Sequence, residues 1–391
     1  MPDHGVRVEI ADGIARTTPD DWDRLAGDHP FLRHAFLSAL EDSGAVGPGT
    51  GWQPAHLLIR GTGGLRGAMP CYLKSHSLGE YVFDHGWAET YEQAGGRYYP
   101  KLLGAIPFTP VTGPRLLAAP GEDRAKIARL LIAAARRQAE DMRLSSFHIT
   151  FLEEAEAALA EANGLLIRHD IQFHWRNRNF SDFEDFLASL SARKRKQIRR
   201  ERREAQAADI VIERLPGEVL SAADWDSYYR FYLDTSSRKW GRPYLNRMFF
   251  ALIAERMPDA LLMVRCREED RPIAGALNFL SSRRIYGRWW GAVVERPFLH
   301  FEACYYQAIE HAIACGLAWV EAGAQGPHKL LRGYEPVRTR SAHHIVEPRF
   351  REAVARFLAR ERHEMERSGD RLSRHLPYRR DQKAGRRPMP E

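Results

Sequence analysis

The residues best suited to moving a proton stand close together late in the chain. His300 and Glu302 open a helical segment, and Tyr334 follows the basic stretch GPHKLLRG. An imidazole and a carboxylate two residues apart could accept a proton or bind an amine, and a phenol can donate one. His300, Glu302 and Tyr334 are therefore the candidate catalytic set. The competing reading of Glu302 is an acid that suits a helix N-terminus, and that of Tyr334 a packed aromatic at a helix end. His328, Lys329 and Arg332 form a cationic cluster that could grip a phosphate or carboxylate, or simply make a solvated helix face. In RIYGRWWGA, the residues Tyr286, Arg288 and Trp290 alternate onto one face of a predicted strand. An arginine between two aromatics suits the wall of a substrate cleft better than a core. Earlier in the chain Lys74, His76, Asp84, His85 and Trp87 crowd polar groups around another predicted strand, a second cleft or an acceptor-holding copy of the first. The histidines are dispersed and form no metal-ligand pattern such as HExxH, so no metal is expected.

Charge is as informative as these groups. The 391 residues carry a formal +7, but the charge is localised. Arg193, Lys194, Arg195, Lys196, Arg199, Arg200, Arg202 and Arg203 fall within eleven residues that contain one acid, Glu201. A second basic stretch runs from Arg367 to Arg387. Outside these two segments the chain sums to −6, a mildly acidic body with two basic arms. The first arm could bind tRNA phosphates, the diphosphate of a lipid-linked precursor or an anionic membrane face. A solvated connector helix is its plain alternative, and the lack of interleaved aromatics argues against base stacking. No apolar run is long enough to span a bilayer, and the start MPDHGVRVEIADG lacks the pattern of a signal peptide. A cytoplasmic protein is the expectation. Cys71, Cys266, Cys304 and Cys315 form no CxxC pair and read as structural thiols.

The elements that must position these groups repeat. AHLLIRGTGGLRGAMPCYLKSHSLGEYVFDHGWAETY, from Ala55, matches ALLMVRCREEDRPIAGALNFLSSRRIYGRWWGAVVE, from Ala260, in its order of apolar strand, polar turn, small-residue strand, second turn and aromatic strand. A helix-like segment with a tyrosine pair follows each, Tyr98-Tyr99 and Tyr305-Tyr306. The second copy continues with a helix ended by Gly316, a short strand LAWVEAG, a helix turning at Gly333 and a returning strand over 337–345. The first has a helix over about 122–141 and the strand SSFHITFL. Between the copies, Ser181 and Glu184 read as a capping box opening a long basic helical connector. Four segments follow: 1–178, an N-terminal lobe; 179–208, the connector; 209–376, a C-terminal lobe; and 377–391, a basic disordered tail.

Three strands, a helix, a strand, a helix and a strand resembles the core of the GNAT acyltransferases. The strings FLRHAFLSALEDSG, YYPKLLGAIPFTPVTGPRLL, ARKRKQIRRER, HFEACYYQAIEHAI and GAQGPHKLLRGYEP, spread between Phe31 and Pro348, resemble the FemAB-like family of N-acyltransferases. That resemblance implies an α/β (α+β) fold of tandem GNAT-like lobes, each a mixed, mostly antiparallel sheet flanked by helices. It also implies an aminoacyl-tRNA donor and a peptidoglycan-precursor amine as acceptor. GNAT enzymes cradle the pyrophosphate of acetyl-CoA in a glycine-rich loop at a helix N-terminus. Here that position reads Val294 to His300, without glycine and with Pro297 removing a donor. The first-copy equivalent, Glu89 to Gly96, has glycines but not the motif.

The leading expectation is thus an acyl- or aminoacyl-transferase with no bound cofactor, whose donor co-substrate is an aminoacyl-tRNA or an acyl-CoA. No stable protein partner is expected, though peripheral contact with an anionic membrane is. The alternatives are an acyl-CoA-dependent GNAT enzyme with a non-standard phosphate loop, and a non-catalytic module that binds peptidoglycan precursor or RNA.

Overall fold

Apolar alternation broken by glycine and charge builds the strands, and alanine- and leucine-rich stretches of helical period build the helices. A computed structural model describes residues 6–206, 209–240, 243–323 and 326–379. First come β1 (Arg7–Ala11), α1 (Pro19–Ala26), α2 (His34–Asp42), β2 (Trp52–Pro54), β3 (His56–Gly61), β4 (Gly64–Met69) and β5 (Cys71–Lys74). Then follow α3 (His85–Gln93), β6 (Lys101–Gly104), β7 (Leu117–Ala118), α4 (Arg124–Asp141), β8 (Ser146–Leu152), α5 (Glu154–Ala162) and β9 (Leu166–Arg176). Next are α6 (Phe183–Ala188), α7 (Ala192–Ala205), β10 (Ile210–Pro216), α8 (Ala222–Trp240) and α9 (Arg247–Arg256). The meander β11 (Leu261–Glu268), β12 (Arg271–Leu280) and β13 (Arg284–Ala292) leads into α10, a helix over 299–314 with a π-turn at Glu302–Tyr306. The chain ends with β14 (Trp319–Glu321), a 3-10 helix (Pro327–Arg332), β15 (Glu335–Ile345) and α11 (Pro348–Arg374).

These elements form two units. The first comprises the chain up to Asp170 with Tyr244–Arg256 and Arg338–Arg367; the second comprises Ile171–Pro243, Met257–Val337 and the chain from Ser368. Each unit draws on separated stretches because β9 starts in the first and ends in the second, while β15 does the reverse. In the first unit β1, β3, β4 and β7 make one sheet, and β15, β8, β6, β5 and β2 lie in the order of another. Asp123 caps α4 by accepting from the amides of Ala125 and Lys126. The α4 stripe Ile127, Leu131, Ile132 and Ala135 then packs on Leu57, Ile59, Met69, Leu102 and Phe147.

The second unit orders its strands β10, β11, β12, β13, β14 and β9. All neighbours are antiparallel except β13 and β14, which run parallel. Helix α8 covers one face of the meander so closely that a Cβ on Gly291 would meet the main chain of Phe231. On the other face Val264, Cys266, Ala274 and Ala276 receive Leu299 and Ala303 of α10.

Several sequence expectations are corrected. Tyr81 to Trp87 is not an aromatic strand: Asp84 sits at the N-cap position of α3, so Asp84, His85 and Trp87 belong to a helix start. Tyr98-Tyr99 precedes a strand, β6, rather than a helix. The segment set apart as a connector is two helices, and α6 is capped by Asp182 rather than Ser181, Asp182 accepting from the Asp185 amide at 2.8 Å. Phe186, Leu187, Leu190 and Ile198 of this pair are core, packed with Trp175, Tyr306 and Ile309. The start of the expected tail is held as well. Pro377 accepts from the Ser191 amide at 2.9 Å, and the buried Tyr378 hydroxyl donates to the Gly333 carbonyl at 2.6 Å. The tail from residue 380 lies outside the described residues.

Candidate active site

In the second unit the hydrogen-bonded ladder opens where chemistry needs room. Strand β13 pairs with β14 only from Arg284 to Tyr286. On its other edge the register with β12 slips between Leu277↔Trp289 and Asn278↔Gly287, leaving Arg288 as the extra residue of a β-bulge. A half-open cavity of about 90 Å³ lies there, with Ala276, Asn278, Gly287, Arg288, Trp290 and Tyr305 among its walls, together with His300 and Cys304. Tyr305 and Cys304 reach it from the π-turn of α10, a distortion that often marks functional segments.

The bulge also corrects one expectation. Tyr286 pairs with Phe279 and Trp290 with Ala276, three residues apart on β12, so the two aromatics face opposite ways. Tyr286 is buried and away from the cavity, whereas Arg288 and Trp290 line it.

His300 lines the cavity, with its ring 5.5 Å from that of Trp290 and 5.4 Å from that of Tyr305. Tyr305 Oη and His328 Nε2 share a proton across 2.9 Å. Lys329 is 2% exposed and donates to the Gly323 carbonyl at 2.8 Å. Burial lowers its ammonium pKa to about 7; Arg288 pushes the same way and Cys304 opposes. Tyr334 is 0% exposed, its ring is 5.6 Å from that of Tyr305, and its hydroxyl has no hydrogen-bond partner. Burial, with Tyr305 next, holds that phenol well above its ordinary pKa, so it remains an O–H donor.

Two other predicted residues are committed elsewhere. Glu302 is 0% exposed, and Arg202 grips it through Nε at 3.1 Å and Nη2 at 3.0 Å. Gln206 and Gln307 donate to the same carboxylate at 2.9 and 2.7 Å. Glu302 is not part of the cavity wall, and its bonds tie α7 to the π-turn. Arg332 is tied within the protein: it pairs with buried Glu201 at 2.9 Å and stacks 3.5 Å from the Phe301 ring.

The basic arm is likewise only partly available. Arg202 is consumed by Glu302 and Glu310, and Lys194 is half-buried with a bond to Gln197. Arg193, Arg195, Lys196, Arg199, Arg200 and Arg203 line one groove of about 700 Å³ along α7. Exposed Arg199 pairs with Glu184, and Arg200 stands 3.5 Å from Glu204.

A second cavity, of about 710 Å³, lies where a GNAT phosphate loop would stand, among Arg238, Trp290, Val294, Arg296, Pro297 and His300. The amides of Leu299, Phe301 and Glu302 are already given to the carbonyls of Arg296 and Phe298. Its arginines are also partnered, Arg296 by Glu268 and Arg238 by Asp234 and Glu295. Those three amides are not open to a pyrophosphate.

In the first unit, Lys74 and Lys101 face each other across β5 and β6, and both are buried. Two such cations are tolerable only with counter-charge. Lys101 reaches Glu80 at 2.8 Å, Ser77 at 2.8 Å and Asp84, while Lys74 lies 3.6 Å above the Trp52 ring and 3.9 Å from Glu80. Asp84 also accepts from the Tyr98 hydroxyl at 2.7 Å, and His148 meets His343 Nδ1 to Nδ1 at 2.7 Å. Trp87 packs its ring 5.0 Å from His343. His76 turns to the Thr50 carbonyl at 3.2 Å, and His85 is exposed outside the network. Lys101 and Glu80 escaped the sequence reading; the signal was a lysine opening the apolar strand KLLG.

Burial raises Glu80 to about 7, against the pull of Lys101, and lowers Lys74 to about 7. The folded pKa of Glu80 exceeds its unfolded value, so its contribution is full below about 4.5 and is lost as pH rises through 7. Lys74 lies below its unfolded value, so stability is regained as pH rises from about 7 toward 10.5. Melting curves are expected to show Lys74→Met removing that alkaline gain of several degrees. An unchanged alkaline limb would place Lys74 in contact with water.

An antiparallel meander followed by a helix and a strand that splays from the third is the GNAT arrangement, and its recurrence makes this a tandem GNAT fold. The family model described as FemAB-like, peptidoglycan biosynthesis/recognition, matches residues 13–380. The chain belongs to that family. Among solved structures, FemX is similar with a TM-score of 0.52 at 11% identity, over 87% of this chain and 98% of FemX. The DUF2156 C-terminal domain of an Agrobacterium fabrum protein gives 0.50 at 10% identity, over 87% of this chain and 95% of that one. A tandem GNAT protein from the clavulanic acid biosynthesis pathway gives 0.46 at 13% identity, over 88% and 99%. No curated protein matches the chain significantly. Among the described residues, no helix is long and apolar enough to cross a membrane.

Proposed function

We propose that this chain is an N-acyltransferase that moves an acyl or aminoacyl group from an activated ester to an amine, with the chemistry at the opened ladder of the second unit. The observation that carries this reading is a bulge-lined cavity whose Tyr305 is bonded to His328 and packed against the unpartnered Tyr334 phenol, and whose Cys304 and Arg288 act electrostatically on a buried lysine, Lys329, near neutrality. Amide formation from an ester requires one net proton transfer, from the attacking nitrogen to the departing oxygen. Neutral Lys329 takes the proton as the C–N bond forms, and its ammonium returns it as the C–O bond breaks. The Tyr334 O–H and the main chain of the β13 bulge are the donors for the tetrahedral oxyanion. No covalent enzyme intermediate is needed.

An ester donor is preferred over acyl-CoA because the loop before α10 has no glycine, its Pro297 has no amide to donate, and the arginines around it are paired. A cell-wall precursor amine as acceptor agrees with the family description, and a donor carried on tRNA is the ester that the resemblance to Fem-type transferases implies. The α7 groove would hold the phosphates of either. Replacing Arg195, Arg199, Arg200 and Arg203 by alanine is expected to weaken polyanion binding and to flatten the log–log salt slope by about one unit per cation removed. Equal affinities at low and high salt in both proteins would discard the groove as a docking site.

The function is tested by incubating the protein with charged tRNAs, acetyl-CoA and longer acyl-CoAs in the presence of amine acceptors and weighing the products. One acyl mass added to an amine, from a tRNA ester, is expected. Transfer from acyl-CoA alone would reverse the donor assignment, and no transfer from any donor would remove the enzyme.

A further inference from the structure

Asn278 is the one polar residue in the apolar run IAGALNFL of β12. Its side chain is 0% exposed and lines the 90 Å³ cavity. Nδ2 donates to the Leu262 carbonyl at 3.2 Å, which fixes the orientation of the amide and leaves Oδ1 as its acceptor end. Oδ1 has no partner. It lies 3.4 Å from the point where a side chain on Gly287 would begin, so the missing side chain of Gly287 keeps the approach to this oxygen open. A buried amide oxygen without a hydrogen bond costs about 1–3 kcal/mol. Such a cost at a cavity wall marks the place of a ligand donor.

The rest of the cavity narrows the ligand. Arg288 forms part of the wall, and Lys329 lies within its field and that of Cys304. A carbonyl oxygen is welcome beside the Arg288 guanidinium. The cavity is small, about 90 Å³, and Trp290 and Tyr305 are among its walls. We infer that the cavity at the β13 bulge recognises a small group carrying an N–H donor next to a carbonyl, and that Asn278 Oδ1 receives the N–H.

The inference deepens the acyl-transfer reading and rests on it for the meaning of the pocket. Two sources share this chemistry: a small aminoacyl group on the donor, and an amide-bearing amine on the acceptor. Asn278 is in this view a specificity residue, and what it selects is the N–H.

Saturation-transfer NMR tests this with glycinamide, with N,N-dimethylacetamide as a carbonyl probe lacking N–H, and with leucinamide as an oversized one. Glycinamide is expected to bind at tens of millimolar while the other two do not. Asn278→Leu is expected to weaken glycinamide about tenfold, the worth of one hydrogen bond. Because that variant also unpairs the Leu262 carbonyl, Ala276→Leu serves as a second: it fills the cavity from the same face, keeps Asn278, and is expected to abolish binding. Competition then identifies the source. Displacement of glycinamide by 3′-alanylamino-3′-deoxyadenosine assigns the pocket to the donor, and displacement by N-acetyl-lysinamide assigns it to the acceptor. Dimethylacetamide binding as well as glycinamide, glycinamide binding unchanged in folded Asn278→Leu or Ala276→Leu, no glycinamide binding to the wild type, or displacement by neither competitor would each overturn the inference. Acyl transfer that persists while N–H selectivity is absent would sink the pocket alone; selectivity without any transfer would sink the transferase alone.

Discussion

Lys329→Met is expected to lower the acyl-transfer rate by about 10²–10⁴-fold, the range of general acid–base catalysis, while leaving donor affinity within a factor of a few. The lysine is buried, its single bond is to the Gly323 carbonyl, and desolvation brings its pKa to about 7. A group with that pKa can accept a proton from an amine and release it to an alkoxide within one turnover. The rate should therefore climb as pH rises through about 7, where the wild-type lysine becomes neutral. Lys329→Arg separates the two uses of a cation. Arginine keeps the charge but does not give up its proton, so it should be as slow as methionine and lack the limb near 7. If Lys329→Arg retained wild-type activity, fixed positive charge rather than proton transfer would be the function of this position.

The second large effect concerns the frame of the same site. Arg202→Met is expected to destabilise the second unit by about 3–5 kcal/mol, the cost of leaving one member of a buried ion pair without the other. Glu302 is 0% exposed, and its remaining partners, Gln206 and Gln307, supply no charge. Adding Glu302→Gln to Arg202→Met should recover most of the loss, because the stranded carboxylate is then gone. Urea titrations of the two variants and the wild type check this. A single variant within about 1 kcal/mol of the wild type, the range of an exposed pair, would mean that water reaches Glu302.

Much of this fold is written locally. The meander from Leu261 to Ala292 shows as alternation broken by charged turns, and the helix from Arg124 to Asp141 as an apolar stripe behind a capping aspartate. The repeat also is visible, because both copies need the same small-residue second strand beneath a helix. What stayed hidden depends on long-range partners. The bulge at Arg288 reverses the phase of Tyr286 and Trp290, but RIYGRWWGA reads as an unbroken strand until β12 is laid beside it. The α3 helix interrupts the first copy between β5 and β6, so an aromatic-rich stretch was aligned with a strand it does not form. Glu302 and Arg202 each looked available because their attachment to one another spans a hundred residues. Their charge showed in the sequence, but their mutual burial could not.

Asn278 is the opposite case, legible in principle. A lone amide inside an apolar strand needs a reason, and the fold supplies it: one of its two ends has a backbone partner and the other has none. Cys304 reads in the sequence as a structural thiol, and in the fold it is half-buried on the cavity wall.

That thiol gives the most direct test of where the acyl group sits. Of the four cysteines, Cys71 and Cys266 are buried, Cys304 is half-buried on the cavity wall, and Cys315 is exposed. Donor analogues bearing a bromoacetyl group, one on aminoacyl-tRNA and one on CoA, can be mixed with the protein and the alkylated cysteine located by peptide mass mapping. If acyl transfer takes place at the opened ladder of the second unit, the tRNA-borne analogue will label Cys304, faster than free bromoacetamide does, and Ala276→Leu will suppress the reaction. Labelling confined to exposed Cys315, with Cys304 untouched by either analogue, would contradict the assignment of the active site.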